Sequence, residues 1–144
     1  MYIGLKHLHS FLPYLLLIVL LFAFVRSVIA YRGQQPHTEG HRKNGLILLI
    51  LSHIQFLIGG ALYFVSPMST SGLNDVGLAM KDSTLRLYTI EHPLMMILAI
   101  VLITMAYSKS KKDISSHLKH KIKSIYFGLA LVLILSRIPW SAWL

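Results

Sequence analysis

The sequence contains no cysteine and few charged residues of either sign. Without thiols, disulfides, thiolate metal sites, iron–sulfur clusters and covalent attachment of c-type haem are excluded. Charged residues make up 13% of the 144 residues and hydrophobic residues 55%, whereas a soluble domain carries about 25% charged residues. This composition indicates an integral membrane domain.

Four apolar stretches are each long enough to cross a bilayer, which takes about 20 residues. The expected spans are about 4–30, 45–65, 85–107 and 118–140. Asn44 is the expected N-cap of the second span, and the long loop 66–84 has room for a short helix near Val76–Met80. The sequence therefore predicts an all-α, four-helix transmembrane bundle in which residues 1–144 form one domain.

The distribution of basic residues predicts the orientation of this bundle. Of the 14 Lys and Arg residues, ten lie in or beside the loops that join spans 1 to 2 and 3 to 4, and four lie on the other side. Cytoplasmic loops carry the excess of Lys and Arg. Both termini and the long loop are thus expected on the outer, periplasmic side of a bacterial inner membrane. Topology accounts for the formal net charge of +9, and no nucleic-acid partner is expected.

Each apolar stretch has a histidine inside it or at its edge. These histidines are His9, His53, His92 and His120. Ionisable residues inside a membrane are candidate functional residues, and histidines on facing helices of a bundle hold b-type haem. His9 and His92 each lie 17 residues from a basic residue at the inner boundary, Arg26 and Lys109 respectively. Both are therefore about 25 Å above that boundary, at the equal depth that two axial ligands of one haem iron require.

His53 lies deepest in the membrane, and two pairings remain open for it. It pairs with His120 around a second, inner haem, or with His92 around a single haem. Gly60 follows His53 by seven residues, and its missing side chain would let a flat macrocycle or another helix approach. The alternative is that the histidines are structural and hydrogen-bond across helices, with about 1 kcal/mol of stabilisation each. His37 and His41 are expected to be solvated in a polar loop.

Charged residues accompany the outer pair of histidines. Glu91 directly precedes His92, so it could orient that ligand or pair with an arginine. Arg86 and Arg137 lie at the outer ends of spans 3 and 4, where they could bind haem propionates in bidentate fashion. The alternative is that both arginines extend to the lipid headgroups.

Several short motifs carry a resemblance to a known family. They are Leu8-His9-Ser10, Ser52-His53-Ile54-Gln55, the stretch from Gly59 to Tyr63-Phe64-Val65-Ser66-Pro67, Met80-Lys81-Asp82, Glu91-His92-Pro93 and Lys119-His120-Lys121. Over nearly its whole length the chain resembles a family of short bacterial inner-membrane proteins labelled cytochrome B. The resemblance implies a four-helix membrane protein that holds haem b.

The leading functional hypothesis is electron transfer through one or two haem b groups with bis-histidine ligation. Such ligation leaves no open coordination position, so no catalytic residue is expected and the chain is an electron carrier or redox subunit rather than a stand-alone enzyme. A quinone is a second candidate cofactor, and its reduced quinol form would donate electrons to the haem. The candidate partners are the lipid bilayer, a redox partner protein or respiratory complex, and further copies of the chain.

Two other functions stay open. The chain could be a non-catalytic membrane subunit, assembly factor or anchor with structural histidines. It could also carry haem or a metal ion, with His9, Glu91 and His92 binding the cation. The small number of intramembrane carboxylates and the lack of an inverted repeat argue against such a carrier.

Overall fold

The computed structural model describes residues 1–143, and within them the chain is helical and has no strand. The elements in chain order are α1 (Tyr2–Arg32), α2 (Glu39–Val65), α3 (Pro67–Asn74), α4 (Val76–Lys81), α5 (Ser83–Arg86), a π-helical turn (Leu87–Glu91), α6 (His92–Ser110), α7 (Ser116–Ser136) and α8 (Trp140–Trp143). The short helix expected in the long loop is present as α4. Leu144, the last residue of the expected domain, lies outside the described residues.

Three helical segments are long and apolar enough to cross a membrane. They are Tyr2–Arg32, Glu39–Val65 and Ser83–Ser110, the last of which joins α5, the π turn and α6. The other long helix, α7, carries Lys119, Lys121 and Lys123 in its first half and is not one of the three segments found in residues 1–143. Large apolar side chains cover the outside of the molecule, including Leu57 at 70% and Val132 at 65% exposure. This exterior suits lipid better than water.

The second helix begins earlier than the sequence analysis predicts, and the assignment of Asn44 as its N-cap is wrong. Thr38 is the N-cap, and its backbone N–H donates a hydrogen bond to Nδ1 of His41 at 3.1 Å. His41 thus has the role that Glu or Gln usually has in a capping box. Because a histidine replaces the usual carboxylate or amide, the sequence signal for this helix start is easily missed.

The four long helices form a ring in which α1 contacts α2, α2 contacts α6, α6 contacts α7, and α7 returns to α1. Helices α1 and α6 are therefore diagonally opposite, as are α2 and α7. Each long helix places one large apolar side chain in the centre of the core. These side chains are Leu20, Leu48, Ile103 and Phe127, all at most 1% exposed. Alanines such as Ala23, Ala106 and Ala130 lie among them and let the helices approach closely.

The bundle has two chemically different ends. We call the end with the linkers 33–38 and 111–115 the basic end, because most of the Lys and Arg residues lie there. We call the other end, which holds both termini and α3–α5, the terminal end. At the terminal end Trp143 of α8 donates from its indole N–H to the carbonyl of Ser10 at 2.6 Å, which attaches the end of the chain to α1.

A π-helical turn precedes α6 because of Pro93. Proline has no N–H to donate to the carbonyl four residues earlier, which is that of Thr89. The hydroxyl of Tyr63, on α2, donates to this carbonyl at 2.8 Å instead. The N–H of His92 bonds to Leu87 O, five residues back. The widened turn is thus fixed by a hydrogen bond from a neighbouring helix.

Candidate functional site

His9 and His92 meet at the terminal end of the bundle. They come from the diagonally opposite helices α1 and α6, and their ring centroids are 6.1 Å apart with an interplanar angle of 82°. Both side chains are partly buried. The structure therefore brings together the two histidines to which the sequence assigns equal depth.

The Nδ1 atom of each ring is already engaged. The Nδ1–H of His92 donates to the carbonyl of Arg137 at 2.8 Å. Gln55 of α2 donates from Nε2 both to Nδ1 of His9 and to the His9 carbonyl, each at 3.0 Å. In metal-bound histidines the nitrogen that does not bind the metal is usually hydrogen-bonded, which fixes the orientation of the ring. Nε2 is accordingly the candidate ligand atom on both histidines.

The side chain of Gln55 also determines the tautomer of His9. Its Oε1 is buried without a hydrogen-bond partner. With the amide N–H donating to Nδ1, the proton of a neutral His9 sits on Nε2. Iron ligation through Nε2 needs the proton on Nδ1. Rotation of the amide by about 180° would let Oε1 accept from Nδ1–H, but it would also exchange the hydrogen bond from Gln55 Nε2 to the His9 carbonyl for a contact between two acceptor oxygens. Gln55 is thus a positioning residue. The sequence does not identify it as one, and the only signal is its place two residues after His53.

Close approach of α1 to α2 depends on Gly59 rather than on Gly60. A Cβ atom added at Gly59 would lie 2.8 Å from Cε1 of His9, whereas one added at Gly60 would meet no atom within 4 Å. Gly60, expected from the sequence to allow close approach, borders open space in the structure. Gly59 is the residue that leaves room for the imidazole of His9.

We therefore predict that Gly59→Ala displaces His9 and lowers the melting temperature, because overpacking costs about 1–3 kcal/mol. Gly60→Ala is the matched control, since both changes gain the same helix propensity of about 1 kcal/mol and only one creates a clash. Thermal unfolding in detergent, followed by tryptophan fluorescence, measures the difference. Equal melting temperatures for the two variants would contradict the placement of His9 against Gly59.

Glu91 joins the two arginines at the terminal end. Arg86 Nε lies 2.8 Å from one carboxylate oxygen of Glu91, and Arg137 Nε lies 3.2 Å from the other. Of the two roles that the sequence leaves open for Glu91, the structure shows pairing with both arginines. The backbone carbonyl of Arg137 also accepts a hydrogen bond from His92. Arg137 therefore contacts both Glu91 and His92.

His53 lies on the outside of α2, away from the other histidines. Its Nδ1–H donates to the carbonyl of Leu49, in the preceding turn, at 2.8 Å. The ring borders a groove of about 280 Å³ between α2 and α6, lined mostly by apolar side chains such as Phe56 and Val101. Thr104 is the other polar side chain in the groove, and its hydroxyl donates to the carbonyl of Ile100.

His120 is fully buried at the basic end and does not meet His53. Its ring lies 4.7 Å from that of His41 and 5.3 Å from that of His37. His53 lies twelve residues beyond His41 on α2, which is about 18 Å along the helix. The partner of His120 across the other diagonal of the bundle is therefore His41. The expectation that His37 and His41 are solvated is wrong for His41, which is 7% exposed, and His37 is half-buried.

A buried lysine completes this cluster. Lys123 is 2% exposed, and its ammonium donates to Nε2 of His37 at 3.0 Å and to the carbonyl of His41 at 2.9 Å. Burial and the nearby charge of Lys123 lower the pKa of His37 to about 3. His37 therefore stays neutral at physiological pH, and its Nε2 can accept the hydrogen bond from the lysine.

The cluster at the basic end does not have the geometry of a metal site. Within residues 1–143, no group of three or more His, Cys, Asp or Glu side chains is arranged to hold a metal ion. Two imidazoles on opposite faces of one iron have centroids roughly 6 Å apart, since a metal–imidazole bond measures about 2 Å. The rings of His41 and His120, at 4.7 Å, are too close for that arrangement.

Comparison of the chain with protein-family models, with curated proteins and with solved structures finds no match. The resemblance to the short cytochrome B family stays a prediction that depends on the histidine motifs.

Proposed function

We propose that the chain is a membrane-embedded b-type cytochrome that binds one haem between His9 and His92 at the terminal end. The observation that carries this proposal is the pairing of these two imidazoles across the diagonal of the bundle, with centroids 6.1 Å apart. That separation matches the roughly 6 Å expected for two axial ligands of one iron. The haem would supply a one-electron centre with no free coordination position.

The residues around the pair have the roles that such a site needs. The carbonyl of Arg137 and the amide of Gln55 orient the two rings through Nδ1. Gly60 borders open space beside the site, which a flat group requires. Arg86 and Arg137 are held by Glu91, and they could bind propionates while keeping one contact to that carboxylate.

A single haem fits the structure better than two. His53 is exposed to the exterior, and His120 packs against His37 and His41. An inner haem between His53 and His120 would require two side chains at levels about 18 Å apart along the bundle to come within about 6 Å of each other. We therefore assign His53 and His120 other roles than iron ligation.

The proposed location is a bacterial inner membrane, with α7 as a fourth span. Val132 of α7 is 65% exposed, so this helix also presents apolar surface to the exterior. The basic end would face the cytoplasm by the excess of Lys and Arg there, and both termini would face the periplasm. Electrons would then enter or leave the haem near the outer surface, where a redox partner protein could approach.

A quinol is the proposed electron donor. It dissolves in the bilayer, and the groove beside His53 opens to the exterior between α2 and α6. His53 uses Nδ1–H within its own helix, which leaves Nε2 to bind a quinol hydroxyl. Gln55, two residues further along α2, contacts His9, so a quinol in this groove would be near the proposed haem.

One observation favours the non-catalytic membrane subunit as the second candidate. Each of His9, His53, His92 and His120 already has a hydrogen bond to a carbonyl or an amide. These contacts are what structural histidines would make. In that case the protein holds no haem and the four rings only stabilise the bundle.

Absorption spectra of the protein purified in mild detergent distinguish the two functions. The cytochrome proposal predicts a Soret band, sharp α and β bands after dithionite reduction, and about one haem b per chain by pyridine haemochrome. Reduction by a soluble quinol analogue would support the proposed donor. A colourless protein, even after expression with haem supplied, would reject the cytochrome and leave the structural subunit.

A further inference from the structure

The basic end of the bundle contains a cavity that the proposed haem does not use. It measures about 430 Å³ and lies between the first turn of α2, the end of α6 and the first half of α7. Its size lies in the range of about 300–1,000 Å³ that is usual for small-molecule sites. It is separated from the histidine pair at the terminal end by the length of the bundle.

The walls of this cavity carry an excess of positive charge. Arg42, Lys111 and Lys119 line it, together with one carboxylate, that of Glu39. Arg42 Nε donates to both oxygens of Glu39 at 2.9 Å, so this carboxylate already has a cation of its own. The N-terminus of the long helix α2 also borders the cavity and adds the positive end of its dipole.

The buried side chains behind the cavity add to this excess. The ammonium of Lys123 has the neutral acceptors His37 Nε2 and His41 O, and no carboxylate is paired with it among the ion pairs of residues 1–143. His41 Nε2 carries the ring proton, since Nδ1 accepts from Thr38 N–H, and it is buried without a hydrogen-bond partner. Buried charges and polar groups are normally compensated. The ammonium of Lys123, which has no counter-charge and lies behind a cationic cavity, favours an anion as the ligand of that cavity.

We propose that this cavity binds a phosphate-bearing anion. Cations from three segments surround it, and phosphate offers several acceptor oxygens to such an arrangement. His37 lines the cavity and also bonds to Lys123, so it connects the ligand to the buried ammonium. Both a phospholipid headgroup and a soluble phosphate have this chemistry, and basic pockets between helices at the cytoplasmic surface bind anionic headgroups.

Two double variants test the proposal at equal net charge. Lys111→Gln with Lys119→Gln removes two cations from the cavity wall, whereas Lys112→Gln with Lys121→Gln removes two exposed lysines outside it. Native mass spectrometry in detergent measures retention of phosphatidylglycerol against phosphatidylcholine. Thermal unfolding with inorganic phosphate, against chloride at the same ionic strength, measures binding of the free anion.

We expect the first pair to weaken binding by about tenfold or more, because each lysine near a headgroup contributes about fivefold. The control pair should change it by less than about twofold. Retention of phosphatidylglycerol alone would identify a lipid ligand, and stabilisation by phosphate alone a soluble one. Equal weakening by both pairs would show general attraction to a basic surface and would overturn the proposal, as would binding of neither probe. The haem spectrum should be unchanged in both double variants, so this test is independent of the cytochrome.

Discussion

His92→Ala is expected to abolish the reduced b-type spectrum of the purified protein, and His9→Ala to do the same. Each substitution removes one of the two axial ligands of the proposed haem. A bundle that lacks one of these ligands does not retain haem b firmly, because the iron–histidine bonds are the specific attachment of the group to the protein. The measurement is the haem content per chain, together with the positions of the α and Soret bands.

The control for this experiment is His53→Ala. His53 is exposed and bonds only within its own helix, so its loss should leave the haem content unchanged and affect only reduction by quinol. Addition of free imidazole to His92→Ala should restore part of the spectrum, because the deleted side chain leaves space for it. Full haem content in His92→Ala, with loss in His53→Ala, would show that the pairing is wrong.

The second large effect is expected for Gly72→Ala, which should destabilise the terminal end. Gly72 of α3 is buried against the π turn, and a Cβ atom there would overlap Thr89 Oγ1 and lie 2.9 Å from Thr89 Cβ. Thr89 is itself buried, at 5% exposure, so it cannot rotate away into open space. Overpacking of this kind costs about 1–3 kcal/mol, which corresponds to a decrease in melting temperature of at least about 3 °C.

Two variants check the cause of that loss. Gly77→Ala, in α4, meets only Asp75 Oδ1 at 3.4 Å and should be neutral or slightly stabilising. Thr89→Ala combined with Gly72→Ala should recover part of the stability, since it removes Oγ1 and Cγ2 and leaves only the contact with Cβ. A melting temperature for Gly72→Ala equal to that of the unchanged protein would show that α3 does not pack on the π turn.

The helices of the bundle could be predicted from the sequence, because long uncharged stretches leave few alternatives. The depth of His9 and His92 followed from counting residues along two helices, which needs no knowledge of packing. Counting residues does not predict which side of α2 faces the core. Its buried residues are His41, Gly45, Leu48 and Ser52, spaced by three or four residues. His53 comes one residue after this stripe, about 100° around the helix, and so points outward.

The cluster at the basic end could not be predicted in the same way. His37 lies in a polar linker, where solvation is the usual outcome. Its contact with Lys123 joins residues 86 positions apart and depends on the diagonal approach of α2 and α7. The burial of Lys123 is also invisible in the sequence, since three lysines alternate along the start of α7 and nothing local distinguishes the one that points inward.

The π turn before α6 has a geometric effect on both parts of the terminal end. It contains one residue more than an α-helical turn would, so everything after it is rotated by about 100° relative to an uninterrupted helix. Thr89 inside the turn faces Gly72 of α3, and His92 directly after it faces His9 of α1. Thr89 and His92 are three residues apart on one continuous segment, and they contact two different helices, α3 and α1. The extra residue thus contributes to the orientation of the His92 imidazole toward His9.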